Sequence, residues 1–285
     1  KDNRILVAEA RGIVETLTIS EEDIFLCNAP VFHSFGQAFG CYAAAIAGAK
    51  VKYLPSFVLP THIIRELKEK EYTILISTPV YYKEIYQDLG GISTLRYKLS
   101  AGGRLSEEIL RSNAKINNVY GTTETGVMAI QKFVDSNDSA SVGHEIIGVN
   151  IDFIYDNSIL HLGFENGRVK VKTPYYALEV KQHTQIHKRE EGYILLNDIG
   201  FRDSVGNIYI TGRCDDVVNI NGEKVVISEI EKAIDKLENV IEYKVQKCIL
   251  KDGTEHLKAY VVVDSGETIN GIRKQLSKYL ETYKI

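Results

Sequence analysis

Between residues 4 and 120 the sequence switches repeatedly between helical periodicity and short apolar runs, and no other feature limits the fold so strongly. Ile5, Ala8, Ile13 and Leu17 fall near one face of a helix over 4–17. Residues 23–27 read as a short strand, 36–49 as a small-residue helix around Ala43-Ala44-Ala45, and 51–54 as the next strand. Thr61 is placed to cap a helix that runs to residue 70. Residues 72–77 form a strand, and Thr78-Pro79 opens a helix with proline at its first position, where a missing N–H does no harm. A strand at 97–100, a helix capped by Ser106 and a strand at 116–120 complete the series. This alternation predicts an α/β fold with a mostly parallel sheet, because parallel neighbours need a crossover and a helix supplies it.

From 147 to 211 the pattern becomes strands and turns, which predicts a β subdomain packed on the first. Asp198-Ile199-Gly200 reads as a turn carrying a carboxylate, and 203–207 as a second turn. A strand at 208–210 ends at Gly212. Strands at 217–220 and 224–227 flank Asn221-Gly222, the dipeptide a type I′ hairpin prefers because both central residues take positive φ. Between the strand pairs sits a charged knot of Arg213, Asp215 and Asp216, which local physics alone reads equally well as a solvated loop. Ser228 and Glu231 have the spacing of a capping box, and Ile230, Ala233, Ile234 and Leu237 form one apolar face behind it. Residues 240–250 and 256–263 make a hairpin around Asp252-Gly253, and Ile269, Ile272, Leu276 and Leu280 mark a final amphipathic helix. The expected organisation is a domain over 1–213, with an α/β part at 1–146 and a β-rich subdomain at 147–213, followed by a small α+β cap over 214–285.

The 285 residues are 44% hydrophobic and 25% charged, enough apolar mass for one large core or two modest ones. A net charge of −4 carries no nucleic-acid or membrane signature. No apolar run approaches the roughly 18 residues of a spanning helix, and the Lys1-Asp2-Asn3-Arg4 start has no signal-peptide pattern. The cysteines at 27, 41, 214 and 248 enter no CxxC or Cys/His motif, so a reduced, cytoplasmic protein without structural zinc is expected.

Ligands of an open parallel sheet bind beyond the carboxyl ends of its strands. Four unusual loops are expected at such ends: Pro30 to Gly36, Ser77 to Pro79, Ser100 to Arg104 and Tyr120 to Glu124. In the last, an aromatic ring, a glycine, two hydroxyls and a carboxylate suit stacking on a base, approach to a phosphate by Gly121 and binding of Mg²⁺ through oxygen. Read as structure alone, it is a strand end whose Tyr120 packs and whose threonines cap the next turn. Gly102 and Gly103 let a ligand approach backbone, and His33, between Phe32 and Phe35, suits either a packed, hydrogen-bonded histidine or a base. The sequence contains no GxSxG elbow, HExxH helix or P-loop lysine motif, which removes support for hydrolase, metalloprotease and P-loop readings.

In order and spacing, these runs together resemble the adenylate-forming superfamily of acyl-CoA synthetases, peptide-synthetase adenylation domains and luciferases, over almost the whole chain. The runs at 120–124 and 197–224 carry the resemblance most specifically. It implies that Tyr120 stacks on adenine, Thr123 contacts the α-phosphate and Glu124 binds Mg²⁺. Gly102, Gly103 and Arg104 would line the adenine and acyl pocket, and His33 would stand at the gate between nucleotide and acyl sites. Asp198 would hold the ribose hydroxyls, Arg213 would reach ribose or phosphate, Asp215 would be the hinge of the cap, and Gly222 to Lys224 would approach the thiol acceptor. The implied function is ATP-dependent activation of a carboxylic acid as acyl-adenylate, followed by transfer to coenzyme A. The implied cofactors are ATP/AMP, Mg²⁺ and coenzyme A. A carrier-protein thiol is the alternative acceptor, a non-catalytic nucleotide- or acyl-binding remnant the alternative role. Neither nucleic acid nor stable membrane insertion is expected. Two family elements, the phosphate loop and the C-terminal catalytic lysine, are expected just outside residues 1 and 285, so the chain reads as a partial form. Arg104 stands where the family commonly has proline, and 144–180 is shorter than usual.

Overall fold

The structure, a computed structural model, describes residues 1–55, 57–135, 139–155, 166–182, 185–188, 192–220, 223–250, 254–263 and 266–284. Helix α1 (Asn3–Leu17) opens on Asp2, whose carboxylate accepts from the Ile5 N–H, and stops at Thr18 in the left-handed region. Strands β1 (Ile24–Cys27), β2 (Lys50–Tyr53), β3 (Ile74–Ser77), β4 (Tyr97–Ser100) and β5 (Asn117–Thr122) follow. They lie parallel in the order β2-β1-β3-β4-β5, and β6 (Gly126–Ile130) and β7 (His144–Glu145) extend the sheet antiparallel.

Both faces of this sheet are buried. Phe25, Cys27, Ile74, Ile76 and Leu99 share one core with residues of α1 and of the helix after β1. Leu26 and Leu75, one residue out of phase, share another with helices α3 (Pro60–Glu69) and α4 (Pro79–Leu89). The pleat sends successive side chains to opposite faces, so strands covered on both sides read as unbroken apolar runs.

The helix after β1, α2, has three parts. Ser34–Gly36 and Ala44–Ala47 are α-helical, and the seven residues Gln37–Ala43 between them are π-helical. A Cβ on Gly40 would stand 2.9 Å from Cys27 Sγ, and Tyr53 donates to the Gly40 carbonyl at 2.7 Å, so the wider turn lies hard against the sheet. Helix α3 starts at Pro60 with Leu59 as its cap, and no side chain caps it. The fixed φ of proline, not the Thr61 hydroxyl, sets that start. Ser106 does hold the cap position of α5 (Glu107–Arg111), without a side-chain bond.

One ion pair ties the starts of β1, β3 and β4 to the end of α1. Arg96 Nε and Nη2 donate to the two oxygens of Asp23 at 2.8 and 2.6 Å, and Arg96 also reaches the Leu17 and Thr18 carbonyls. Thr73 Oγ1 donates to Asp23 Oδ1 at 2.7 Å. Burial pushes the Asp23 carboxyl up, but Arg96 and the hydrogen bonds from Ser20 and Thr73 outweigh it and hold the group below its usual range.

By internal packing the chain divides into two units. The first comprises Lys1–Asp152, Lys170–Leu195 and Arg202–Tyr209, the second Phe153–Val169, Leu196–Phe201 and Ile210–Ile285. Strands β8 (Asn150–Ile154), β9 (Gly167–Lys172), β12 (Ile194–Arg202) and β13 (Ile208–Arg213) form a sheet in the order β13-β12-β9-β8. Strands β10 (Glu179–Gln182) and β11 (Gln185–Lys188) form an antiparallel pair. Asp198-Ile199-Gly200 is not a turn but the middle of β12. Ile199 is fully buried and packs with Val217, and that burial overrides the turn tendency of Asp and Gly. The turn at 203–207 does form, with the Asp203 carboxylate accepting from the Val205 and Asn207 N–H groups at 3.0 and 2.8 Å.

In the second unit β14 (Val217–Ile220) pairs antiparallel with β15 (Glu223–Val226); the Asn221-Gly222 turn lies outside the described residues. Strand β15 runs directly into α6 (Ile227–Ile234) with Val226 at the cap, so Ser228 sits inside the first turn and caps nothing. Its hydroxyl donates to the Thr211 carbonyl at 3.4 Å instead. Ile230, Ala233, Ile234 and Leu237 are buried with Val218, Val225, Val245, Leu276 and Leu280. Strands β16 (Val240–Ile249) and β17 (Glu255–Val263) form the expected hairpin, whose Asp252-Gly253 tip lies outside the described residues. In α7 (Ile269–Leu276), Leu276 faces the core, whereas Ile269 is exposed. The fold is mixed α/β, a parallel sheet joined by antiparallel ones. No helix among the described residues is long and apolar enough to cross a membrane.

Candidate functional site

Because β1, β3, β4 and β5 are parallel, their carboxyl ends share one edge of the sheet, and the four loops of interest leave from it. The edge is polar inside as well as outside. Ser77 and Ser100 are paired in register, and Asn28 follows β1 beside them. All three are buried, and their side-chain polar atoms have no hydrogen-bond partner among the described residues. An orphaned buried hydroxyl is destabilising, so Ser77→Ala is expected to raise stability by about 1 kcal/mol. A shift of the urea midpoint to higher concentration checks this; a downward shift would mean that the hydroxyl is bonded in solution.

The loop after β5 divides its residues between turn and ligand. A Cβ on Gly121 would lie 2.6 Å from the Gly126 carbonyl, so this glycine is required by the tight β5–β6 hairpin itself. Thr122 and Thr125 bond each other, Oγ1 to Oγ1 at 2.9 Å, and the Thr125 N–H donates to Thr122 Oγ1 at 3.2 Å. Thr123 is exposed and Glu124 half-buried, and neither the hydroxyl nor the carboxylate has a partner among the described residues. Tyr120, half-buried, lies opposite Ala129.

Two braces hold this loop, and neither follows from local sequence. Glu9 of α1 is buried, accepts from the Val127 N–H at 2.9 Å, and pairs with Lys1 Nζ at 2.7 Å. Its one signal is a carboxylate among the apolar positions of an amphipathic helix. On the other side the Ala177 N–H donates to the Glu124 carbonyl at 2.7 Å.

Around the same edge, His33 is exposed at the N-cap of α2, and its ring bonds nothing among the described residues, so the packed-histidine reading fails. Phe35 packs edge-on against Phe39, with ring centroids 5.3 Å apart. Gly102 takes φ +86° with open space where a Cβ would be, and Gly103 is exposed beside Pro79. Arg104 is exposed and makes no ion pair among the described residues.

In the second unit the charged knot is an ordered, half-exposed network of ion pairs and hydrogen bonds. Arg213 grips Asp215 with two hydrogen bonds of 2.8 Å and reaches Asp198 Oδ1 at 3.3 Å. Asn197 Nδ2 donates to Asp215 at 3.4 Å, and Arg168 donates to Asn197 Oδ1 at 2.7 Å. Residues Cys214–Asp216 form a 3-10 turn. The Arg213 guanidinium holds the Asp215 carboxyl low, while burial and the Asp215 charge push Asp216 up. Asp198 is buried on β12, and the knot thus brings Asp198, Arg213 and Asp215 together. Gly222 lies outside the described residues. Arg168 carried no motif and emerges only from this geometry, as does the role of Asn197 as a bridge to Asp215.

Residues 3–177 match the AMP-binding enzyme family. The chain belongs to that family. It is 27% identical over 243 residues to a medium-chain fatty-acid–CoA ligase of Escherichia coli, covering 80% of this chain and 42% of the ligase. It is 26% identical over 275 residues to bacitracin synthase 3 of Bacillus licheniformis, covering 90% of this chain and 4% of the synthase. Its fold is shared with an o-succinylbenzoate coenzyme A synthetase from Bacillus subtilis, solved in complex with ATP and magnesium ion, at a TM-score of 0.78 and 20% identity, over 100% of this chain and 61% of that one. The chain spans about half the length of the coenzyme A ligases it matches.

Proposed function

We propose that this chain is the nucleotide-binding body and part of the cap of an enzyme that activates a carboxylic acid with ATP and passes the acyl group to coenzyme A. The observation that carries the reading is the Tyr120–Glu124 loop, set at the carboxyl edge of a parallel sheet, whose half-buried Glu124 carboxylate and exposed Thr123 hydroxyl have no partner among the described residues. Family membership and the fatty-acid–CoA ligase likeness support it.

In this reading Tyr120 stacks on adenine, and Thr123 donates to the α-phosphate. Gly102, Gly103 and Arg104 border the adenine and acyl pocket, with His33 at its gate. The donor set fits Mg²⁺. No group of three His, Cys, Asp or Glu side chains among the described residues could hold a metal. The half-buried Glu124 carboxylate supplies one hard oxygen ligand, and phosphates and water would complete the shell as Mg²⁺ prefers. The ion, when bound, neutralises phosphate charge as the acid is adenylated. An oxygen of the acid attacks the α-phosphorus and pyrophosphate leaves; then the thiol sulfur attacks the acyl carbon, loses its proton, and AMP leaves. Asp198 accepts from the ribose hydroxyls, and Arg213 contacts ribose or phosphate. The domain boundary falls between 213 and 214, with residues 1–213 the body, 214–285 the cap and Asp215 the hinge.

Carboxylate-dependent ATP–pyrophosphate exchange by the full-length protein, run over a panel of acids, tests this function. AMP binding without exchange for any acid would select a non-catalytic nucleotide-binding role. The bacitracin synthase likeness favours a second acceptor, a carrier-protein thiol; turnover with a carrier but not with free coenzyme A would select that one.

A hinge at 215 makes its own prediction. Proline fixes φ, so Asp215→Pro is expected to slow thioester formation about tenfold or more while sparing adenylation. Asp215→Ala is the control, since it removes the contact to Arg213 without fixing the backbone. Equal losses in both half-reactions of the proline variant would remove the hinge from 215.

A further inference from the structure

Tyr176 has no place in the motifs and none in the resemblance, yet the fold sets it beside Glu124. The segment that bears it is built firmly. Tyr175 and Ala177 are buried on either side, Tyr175 bonds the Ile147 carbonyl through its hydroxyl, and its N–H donates to Thr173 Oγ1 at 3.1 Å. The Ala177 N–H clips the segment to the Glu124 carbonyl at 2.7 Å. With both neighbours turned inward, Tyr176 remains partly exposed, and its hydroxyl makes no hydrogen bond among the described residues. Thr123 and Glu124 thus lie on one of two clipped segments and Tyr176 on the other, and their side-chain polar atoms have no hydrogen-bond partner among the described residues.

We propose that Tyr176 is a further ligand-positioning residue, whose phenol donates a hydrogen bond to a phosphate oxygen of the nucleotide bound at Glu124. This rests on the nucleotide-binding reading of the Tyr120–Glu124 loop. The phenol is suited to the task because it stays protonated. At neutral pH an ordinary phenol offers a proton and no charge. A neutral donor next to the metal-binding carboxylate adds a bond to the phosphate without competing for the cation. An arginine there would be drawn into an ion pair with Glu124.

The test is Tyr176→Phe in the full-length protein, which keeps the ring and removes only the hydroxyl. Binding of MgATP is measured by titration calorimetry, exchange activity in parallel, and the melting temperature as a control for folding. About tenfold weaker MgATP binding is expected, with unchanged melting temperature and unchanged thioester formation from preformed acyl-adenylate. Wild-type affinity in the variant would overturn the proposal. So would a lowered melting temperature with both half-reactions slowed alike, which marks a packing role. Wild-type protein that binds MgATP but exchanges with no acid sinks the catalytic reading alone, and the affinity ratio still decides the role of Tyr176. Wild-type protein that binds no MgATP overturns both.

Discussion

Glu124→Gln is expected to lower exchange activity in the full-length protein by about a hundredfold or more, while the protein melts at the wild-type temperature. The loss follows from the role proposed for the carboxylate: an amide of the same shape brings no charge to hold Mg²⁺ against the phosphates, and electrostatic stabilisation of this kind is worth about that factor. The unchanged stability follows from the structure. The carboxylate touches no partner among the described residues, and the main-chain bond from Ala177 to the Glu124 carbonyl is untouched by the substitution. Raising the Mg²⁺ concentration should recover part of the lost rate. A variant with full activity would remove Glu124 from the metal site. A variant that lost activity and melted early would make the residue structural.

The second large effect is on stability. Arg96→Ala is expected to destabilise the first unit by about 2 kcal/mol, because it takes the guanidinium from a carboxylate that is only 4% exposed, while Arg96 is itself half-buried and the Thr73 and Ser20 bonds to Asp23 remain. Urea unfolding at neutral pH measures it. The pH dependence gives a second handle. In the wild type the Asp23 carboxyl titrates below its ordinary value of 3.8. Its contribution is therefore fully present above that value and is lost as pH falls through the folded-state pKa. The gap between wild type and variant should be widest near neutrality and should narrow in acid below 3.8. In the variant no guanidinium opposes burial, and Asp23 takes up its proton at higher pH. A gap that stayed constant down to acid pH would mean that Arg96 acts through packing alone.

The residues that were legible in the sequence share a property: their signal is local. Phe25, Leu26, Ile74 and Leu75 are apolar in unbroken runs because each strand is buried on both faces, and Pro79 announces its helix through its own ring. The Tyr120–Glu124 run is recognisable because its aromatic ring, glycine, hydroxyls and carboxylate fall in five consecutive residues. The corrections share the opposite property. Asp198-Ile199-Gly200 has turn residues, yet it runs as a strand because the pocket around Val217 takes Ile199. Ser228 has the spacing of a cap, yet β15 enters the helix without a loop residue to serve as one. Gly121 is required by the close backbone of Gly126, a need that only the fold of the hairpin reveals.

By itself, the sequence determined the class of the fold, the carboxyl-edge loops and the family to which they belong, because periodicity, proline and short motifs act over a few residues. Only the tertiary structure decided what holds those loops, and the far ends of the strands that carry them, in place. Glu9 meets Val127 across 118 positions of chain, and Arg96 meets Asp23 across 73. Ala177 clips Glu124, which sets Tyr176 beside it. Each of these is a hydrogen bond between residues far apart in sequence, formed because a buried donor or acceptor must find a partner, and nothing in the neighbouring residues says which partner the fold will bring.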